Sequence, residues 1–152
     1  APALSTATVN GNQLVLTYTD TSSLNGAALA GNAGFTVSSA TGTAITVNSA
    51  VVHATNKTVT LTLSRAVAQG EAVSLSYTKP ATGNGVQDTA HNNAVNFSSR
   101  AVTNTTPDTT PPVINTTTVN GDQLVITYTE ANTLDGTALA GNAGFAVNGA
   151  TG

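Results

Sequence analysis

The sequence predicts an all-β protein: an antiparallel sandwich of short strands, followed by part of a second copy of itself. Three observations predict it. Aliphatic residues alternate with Thr and Ser in short runs such as Thr58–Ser64 (TVTLTLS), the period-two pattern of a strand buried on one face. Turn-forming clusters, Asn10-Gly11-Asn12 and Thr55-Asn56-Lys57, punctuate those runs. Finally, residues 1–42 laid over 111–152 without a gap give about 26 identical pairs of 42, so one unit of about 110 residues is followed by the opening of another.

The elements follow in order. Ser5–Val9 is a first strand and Gln13–Thr19 (QLVLTYT) a second, with Leu14, Leu16 and Tyr18 on one face. Residues 21–34 form a polar Ala/Gly-rich connection with one helical turn near Ala27–Ala30. Phe35-Thr36-Val37 opens the next strand; Ala44–Ala54, Thr58–Ser64 and Ala72–Thr78 continue the series. Pro80–Val95 is a long loop, and Asn96–Asn104 is the closing strand. About seven strands at this spacing indicate an immunoglobulin-like antiparallel β-sandwich with an aliphatic core, since Cys and Trp are absent. Residues 1–104 are therefore one complete repeat. Residues 105–112 are a Pro/Thr linker stiffened by Pro111-Pro112. Residues 113–152 supply three strands of a second repeat, either cut from a longer array or completed by another chain.

Composition excludes several classes. Lys57, Arg65, Lys79 and Arg100 are the only basic side chains besides His, and they are scattered, against the clustered charge that nucleic acid requires. No apolar run approaches the ~20 residues of a membrane helix. His53 and His91 without Cys make zinc a poor expectation. No Gly-x-Ser-x-Gly elbow occurs. Scarce aromatics argue against a sugar-binding platform, and Tyr18, Tyr77 and Tyr128 read as core or rim residues.

The stretches TVNGNQLVLTYTD, KTVTLTLSRAVAQGEAVSLSYTKP and GVQDTAHNNAV closely resemble the repeats of the SwmB family, found in large bacterial surface proteins. The resemblance covers nearly all of residues 4–104, and again 113–152. It implies an immunoglobulin-like repeat strung in tandem, as in adhesin stalks or surface layers, and it implies no enzymatic activity. The family loop Asp-x-Ala-Gly-Asn reads here Asp88-Thr89-Ala90-His91-Asn92. His91 therefore stands where a Gly would adopt a left-handed conformation without steric cost.

Strand two ends on an acid in both copies, at Asp20 and Glu130. Tracing the strands up and down puts Asp20 at the N-terminal pole, together with the loop that carries Asp88 and Asn92. The linker with Asp108 arrives at the same pole of unit two, beside Glu130. Carboxylates and amide oxygens at an inter-repeat junction suit a structural Ca²⁺, which takes about six to eight oxygen ligands. Asp20, Asp88, Asn92, Asp108 and Glu130 are thus candidate ligands; the competing reading is that each acid simply holds its own turn. The expected function is an extracellular, cell-surface, non-enzymatic spacer. Its partners would be neighbouring repeats or identical chains. The alternatives are a self-assembling filament and a module binding surface glycan through Thr rows.

Overall fold

Alternating side chains form ten strands in the computed structural model, which describes residues 1–149; the last three residues of the expected second repeat lie outside that range. The strands are β1 (Ala3–Asn10), β2 (Gln13–Thr19), β3 (Phe35–Ser39), β4 (Val47–His53), β5 (Thr58–Leu63), β6 (Val73–Tyr77), β7 (Phe97–Ala101), β8 (Thr103–Asn104), β9 (Val113–Asn120) and β10 (Gln123–Thr129). The chain divides into unit 1, Ala1–Asp108, and unit 2, from Thr109 onward.

Unit 1 is a β-sandwich. One sheet has the order β4-β5-β2-β1-β8 and the other β3-β6-β7. The expected alternation holds: Leu14, Leu16 and Tyr18 of β2 and Val59, Leu61 and Leu63 of β5 are buried, while Thr17, Thr60 and Thr62 between them are half-buried. Phe35, Val37, Val73, Leu75 and Tyr77 fill the core from the second sheet. The Phe35, Tyr77 and Phe97 rings pack tilted, with centroids 4.7 and 5.9 Å apart. Burying each of these large side chains contributes about 1.5–3 kcal/mol, the term that offsets chain ordering.

Three expectations need correction. The closing strand is not continuous from Asn96 to Asn104. β7 pairs antiparallel with β6, and β8 pairs parallel with β1. The chain changes sheet at buried Val102, whose N–H donates to the Val73 carbonyl at 3.1 Å. A simple up-and-down trace therefore fails at the last strand. No helical turn forms at Ala27–Ala30; the Asn25 side chain accepts the Ala27 N–H at 2.9 Å and the chain continues without regular structure. The strand expected from Ala44 begins only at Val47.

Unit 1 extends into the linker. The Thr105 N–H donates to the Val9 carbonyl at 2.8 Å, and the Thr106 hydroxyl accepts the Gly11 N–H at 2.9 Å.

Unit 2 rebuilds the first hairpin. β9 and β10 pair in the register of β1 and β2, with the same irregularity: Asn115 is skipped in one ladder as Ser5 is in the other. Two strands form among the described residues, not three. Phe145–Val147, the counterpart of β3, is not a strand, since β3 owes its ladder to β6.

Candidate functional site

The end of β2 delivers Asp20 to the N-terminal pole, and the loop before β7 delivers Asp88. Two bridges make this possible. Leu24 pairs with Asp88, and Gln87 pairs with Asn93, so the two long loops run as a small irregular ladder. The Asn25 N–H to Gln87 carbonyl bond (2.8 Å) and the Thr89 N–H to Ser23 carbonyl bond (3.1 Å) close it.

Each acid turns its Oδ1 to the backbone of its own loop. Asp20 Oδ1 accepts the Ser22 N–H at 2.9 Å. Asp88 Oδ1 accepts the N–H groups of Ala90 and Asn92 at 2.9 and 2.8 Å. The second oxygens face a single cation, the Ala1 ammonium, which lies 3.1 Å from Asp20 Oδ2 and 3.9 Å from Asp88 Oδ2. Both carboxylates are almost wholly covered, at 3% side-chain exposure. The Ser22 N–H, then the ammonium, hold Asp20 below its ordinary pKa against the raising effects of burial and of Asp88. The Asn92 side-chain amide, then the backbone N–H groups of Asn92 and Ala90, do the same for Asp88.

The structure thus brings Asp20, Asp88 and Asn92 together. Asn92 presents its amide nitrogen, donating to Asp88 Oδ2 at 2.9 Å, and so braces the loop. Asp108 belongs to unit 1 and Glu130 to unit 2. Glu130 accepts the N–H of Ala131 at 2.7 Å and of Asn132 at 3.4 Å, the turn-holding role of a strand-terminal acid. No group of three or more His, Cys, Asp or Glu is placed to hold a metal among the described residues. His91 takes the left-handed conformation expected of it, at φ 64°.

A second charged cluster escaped sequence reasoning. Buried Glu71 binds Arg65 through two N–H···O contacts of 2.6 and 3.0 Å, the Ser39 hydroxyl at 2.5 Å and the Ala68 N–H at 2.9 Å. Arg65, Ser39 and the Ala68 N–H together pull its pKa down to about 2. Asn104 donates from its side chain to the carbonyls of Ala68 and Glu71 at 2.7 and 3.0 Å, fastening β8 to the same loop. Arg65 and Glu71 flank a surface depression of about 520 Å³, but their charges are spent on each other. Nothing in the local pattern SRAVAQGE marks this cluster, because Ser39 comes from β3.

A β-sandwich repeat, pinned at its loops by buried acids, is the class that fold and site define. The chain belongs to the SWM repeat family, whose profile, described as “Putative flagellar system-associated repeat”, matches residues 1–82 and 107–152. No curated protein matches it. Among solved structures it is similar to the N-terminal part of the bacterial S-layer protein SbsC, with a TM-score of 0.51 and 19% identity over 86% of this chain. At that identity the likeness is one of fold, and the chain spans 31% of the length of that structure. Among the described residues, no helix is long and apolar enough to cross a membrane.

Proposed function

We propose that this chain is a structural, non-enzymatic repeat of an extracellular bacterial surface protein, of immunoglobulin-like type, whose work is spacing or lattice building. The observation that carries this reading is the internal repeat: unit 2 re-forms the first hairpin of unit 1 in the same register. Membership of a repeat family and a fold shared with part of an S-layer protein support it. Asp20, Lys57, Arg65, Glu71 and Asp88 of unit 1 are committed to holding loops, which suits a spacer. Limited proteolysis and immunogold labelling of intact cells of the source organism test the reading. Surface-exposed antigen is expected; antigen released only on lysis would refute it.

Calcium belongs to the same proposal. Its support is the nearness of two almost wholly covered carboxylates, with Asp20 Oδ2 and Asp88 Oδ2 turned to the same side of the pole. A Ca²⁺ replacing the ammonium would draw on those two oxygens and complete its shell with water. The test is thermal melting of the N-terminally acetylated chain, which has no ammonium to compete. Calcium is expected to raise the melting point and a chelator to reverse it; identical curves would remove the metal.

The glycan reading has less behind it. Tyr18 and Tyr77 are buried, and the Thr rows of β2 and β5 are interrupted by Val15 and Gln13.

A further inference from the structure

The chain leaves unit 1 alongside its own first strand. β8 pairs parallel with β1, Thr8 opposite Thr103 and Val9 opposite Asn104. β1 starts at the N-terminal pole, so the exit at Thr106 lies at the opposite pole, beside the β1–β2 turn. Residues 102–106 are tied there to four separate parts of the sandwich. The N–H of buried Val102 reaches the Val73 carbonyl at 3.1 Å. The Thr105 N–H and hydroxyl both donate to the Val9 carbonyl, at 2.8 and 3.0 Å. The Thr106 hydroxyl accepts the Gly11 N–H at 2.9 Å. The Asn104 amide nitrogen donates to the Ala68 and Glu71 carbonyls, while its oxygen accepts the Thr106 N–H at 2.9 Å.

We infer that unit 1 is a tension-bearing module and that this patch is its mechanical clamp. The inference rests on the spacer reading above, because repeats strung in tandem carry any pull along their own backbone. Residues 105–112 run from the exit of unit 1 into β9, the counterpart of β1. Pull on a unit is thus applied at the start of its first strand and at its exit. With β1 and β8 parallel, those two points separate along the strand axis, and β8 must slide past β1. The bonds between paired strands cross that axis, so sliding strains them all at once. An antiparallel last strand would put both points at one pole, and its bonds would open one after another.

The Glu71 cluster acquires a role from this geometry. Its loop holds both halves of the clamp. On the β1 side the Val67 N–H donates to the Gly11 carbonyl at 2.9 Å. On the β8 side the Ala68 and Glu71 carbonyls accept Asn104 at 2.7 and 3.0 Å. The Glu71 carboxylate closes the loop on the Ala68 N–H and fixes it to Arg65 and Ser39. The buried ion pair therefore stiffens the piece that joins the exit to the β1–β2 turn.

Single-molecule force spectroscopy on the full 152-residue chain is the test. The sequence has no Cys, so paired substitutions at exposed positions place the handles. Ala1→Cys with Thr109→Cys pulls unit 1 end to end; Asn12→Cys with Thr109→Cys peels the exit away from the turn. Unit 2 stays outside the load in both. Forced unfolding follows the barrier rather than the equilibrium stability, so the end-to-end rupture force is expected to exceed the peeling force about twofold or more. Asn104→Ala should lower the end-to-end force and leave the peeling force nearly unchanged. Equal forces in the two geometries overturn the inference, and so does an Asn104→Ala loss of the same size in both. Either result sinks the clamp and leaves the cell-surface reading standing, which the labelling experiment decides separately.

Discussion

The Tyr77 hydroxyl accepts the backbone N–H of Val86 at 3.0 Å, inside the core. This one bond ties β6 to the long loop that later carries Asp88. Tyr18, equally buried, has a hydroxyl with no partner among the described residues. Tyr77→Phe strands a buried donor and should cost about 1–3 kcal/mol. Tyr18→Phe removes an unsatisfied group and should be neutral or stabilising by up to about 1 kcal/mol. Urea titrations of the two variants should move the midpoint in different degrees or directions; equal losses would contradict the assignment.

Gly34 and Gly144 share a backbone conformation but not a neighbourhood. Gly34→Ala forces a methyl into the Thr78 carbonyl and imposes left-handed strain, so a loss of about 3 kcal/mol or more is expected. Gly144→Ala meets no atom and carries the backbone strain alone, about 1–2 kcal/mol and confined to unit 2. Calorimetry should show the main transition lowered by the first substitution and unmoved by the second.

His91 occupies its left-handed position with a Cβ that disfavours it. Its N–H donates to the Asp88 carbonyl at 3.0 Å, a bond that glycine would keep. His91→Gly should therefore stabilise unit 1 by about 0.5–1 kcal/mol, the relieved strain less the added chain entropy. A destabilised variant in chemical denaturation would show that the imidazole contributes more than its backbone costs.

Glu71 makes stability depend on acid. Its carboxyl titrates near 4.5 when unperturbed and near 2 in the folded chain. Between those values the unfolded chain binds more protons, so stability falls as pH falls from about 5 toward 2 and is full above that window. Glu71→Gln should be less stable than the parent at pH 7 and should flatten that part of the profile. Asp20 and Asp88, lowered in the same direction, leave a residual slope. Melting curves from pH 2 to 7 on both proteins measure the difference.

Part of the candidate site was legible in the sequence. The up-and-down trace put Asp20 and Asp88 at one pole, and they meet there, because the direction of β2 and the position of the long loop depend only on counting strands. What counting could not supply was the change of sheet at Val102, which depends on a buried side chain finding room between β6 and β1. Nor could it supply the Glu71 cluster, whose Ser39 ends β3 while Arg65 lies in the bend that follows β5.

The sequence by itself determined the hairpin. β1–β2 and β9–β10 share register, bulge and turn, and Ala33 and Ala143 share a φ near 50°, although one copy sits over a core and the other does not. The hairpin ladders join residues at most 16 apart in the chain, and the bonds that hold the turns at Ala33 and Ala143 reach only three residues: Phe35 N–H to the Asn32 carbonyl, and Phe145 N–H to the Asn142 carbonyl. Tertiary structure alone decided which of the repeated residues are removed from water, and whether Phe35 or Phe145 belongs to a strand. A ladder needs a second backbone, and burial needs an opposing sheet. Unit 1 draws both from residues far away in the chain.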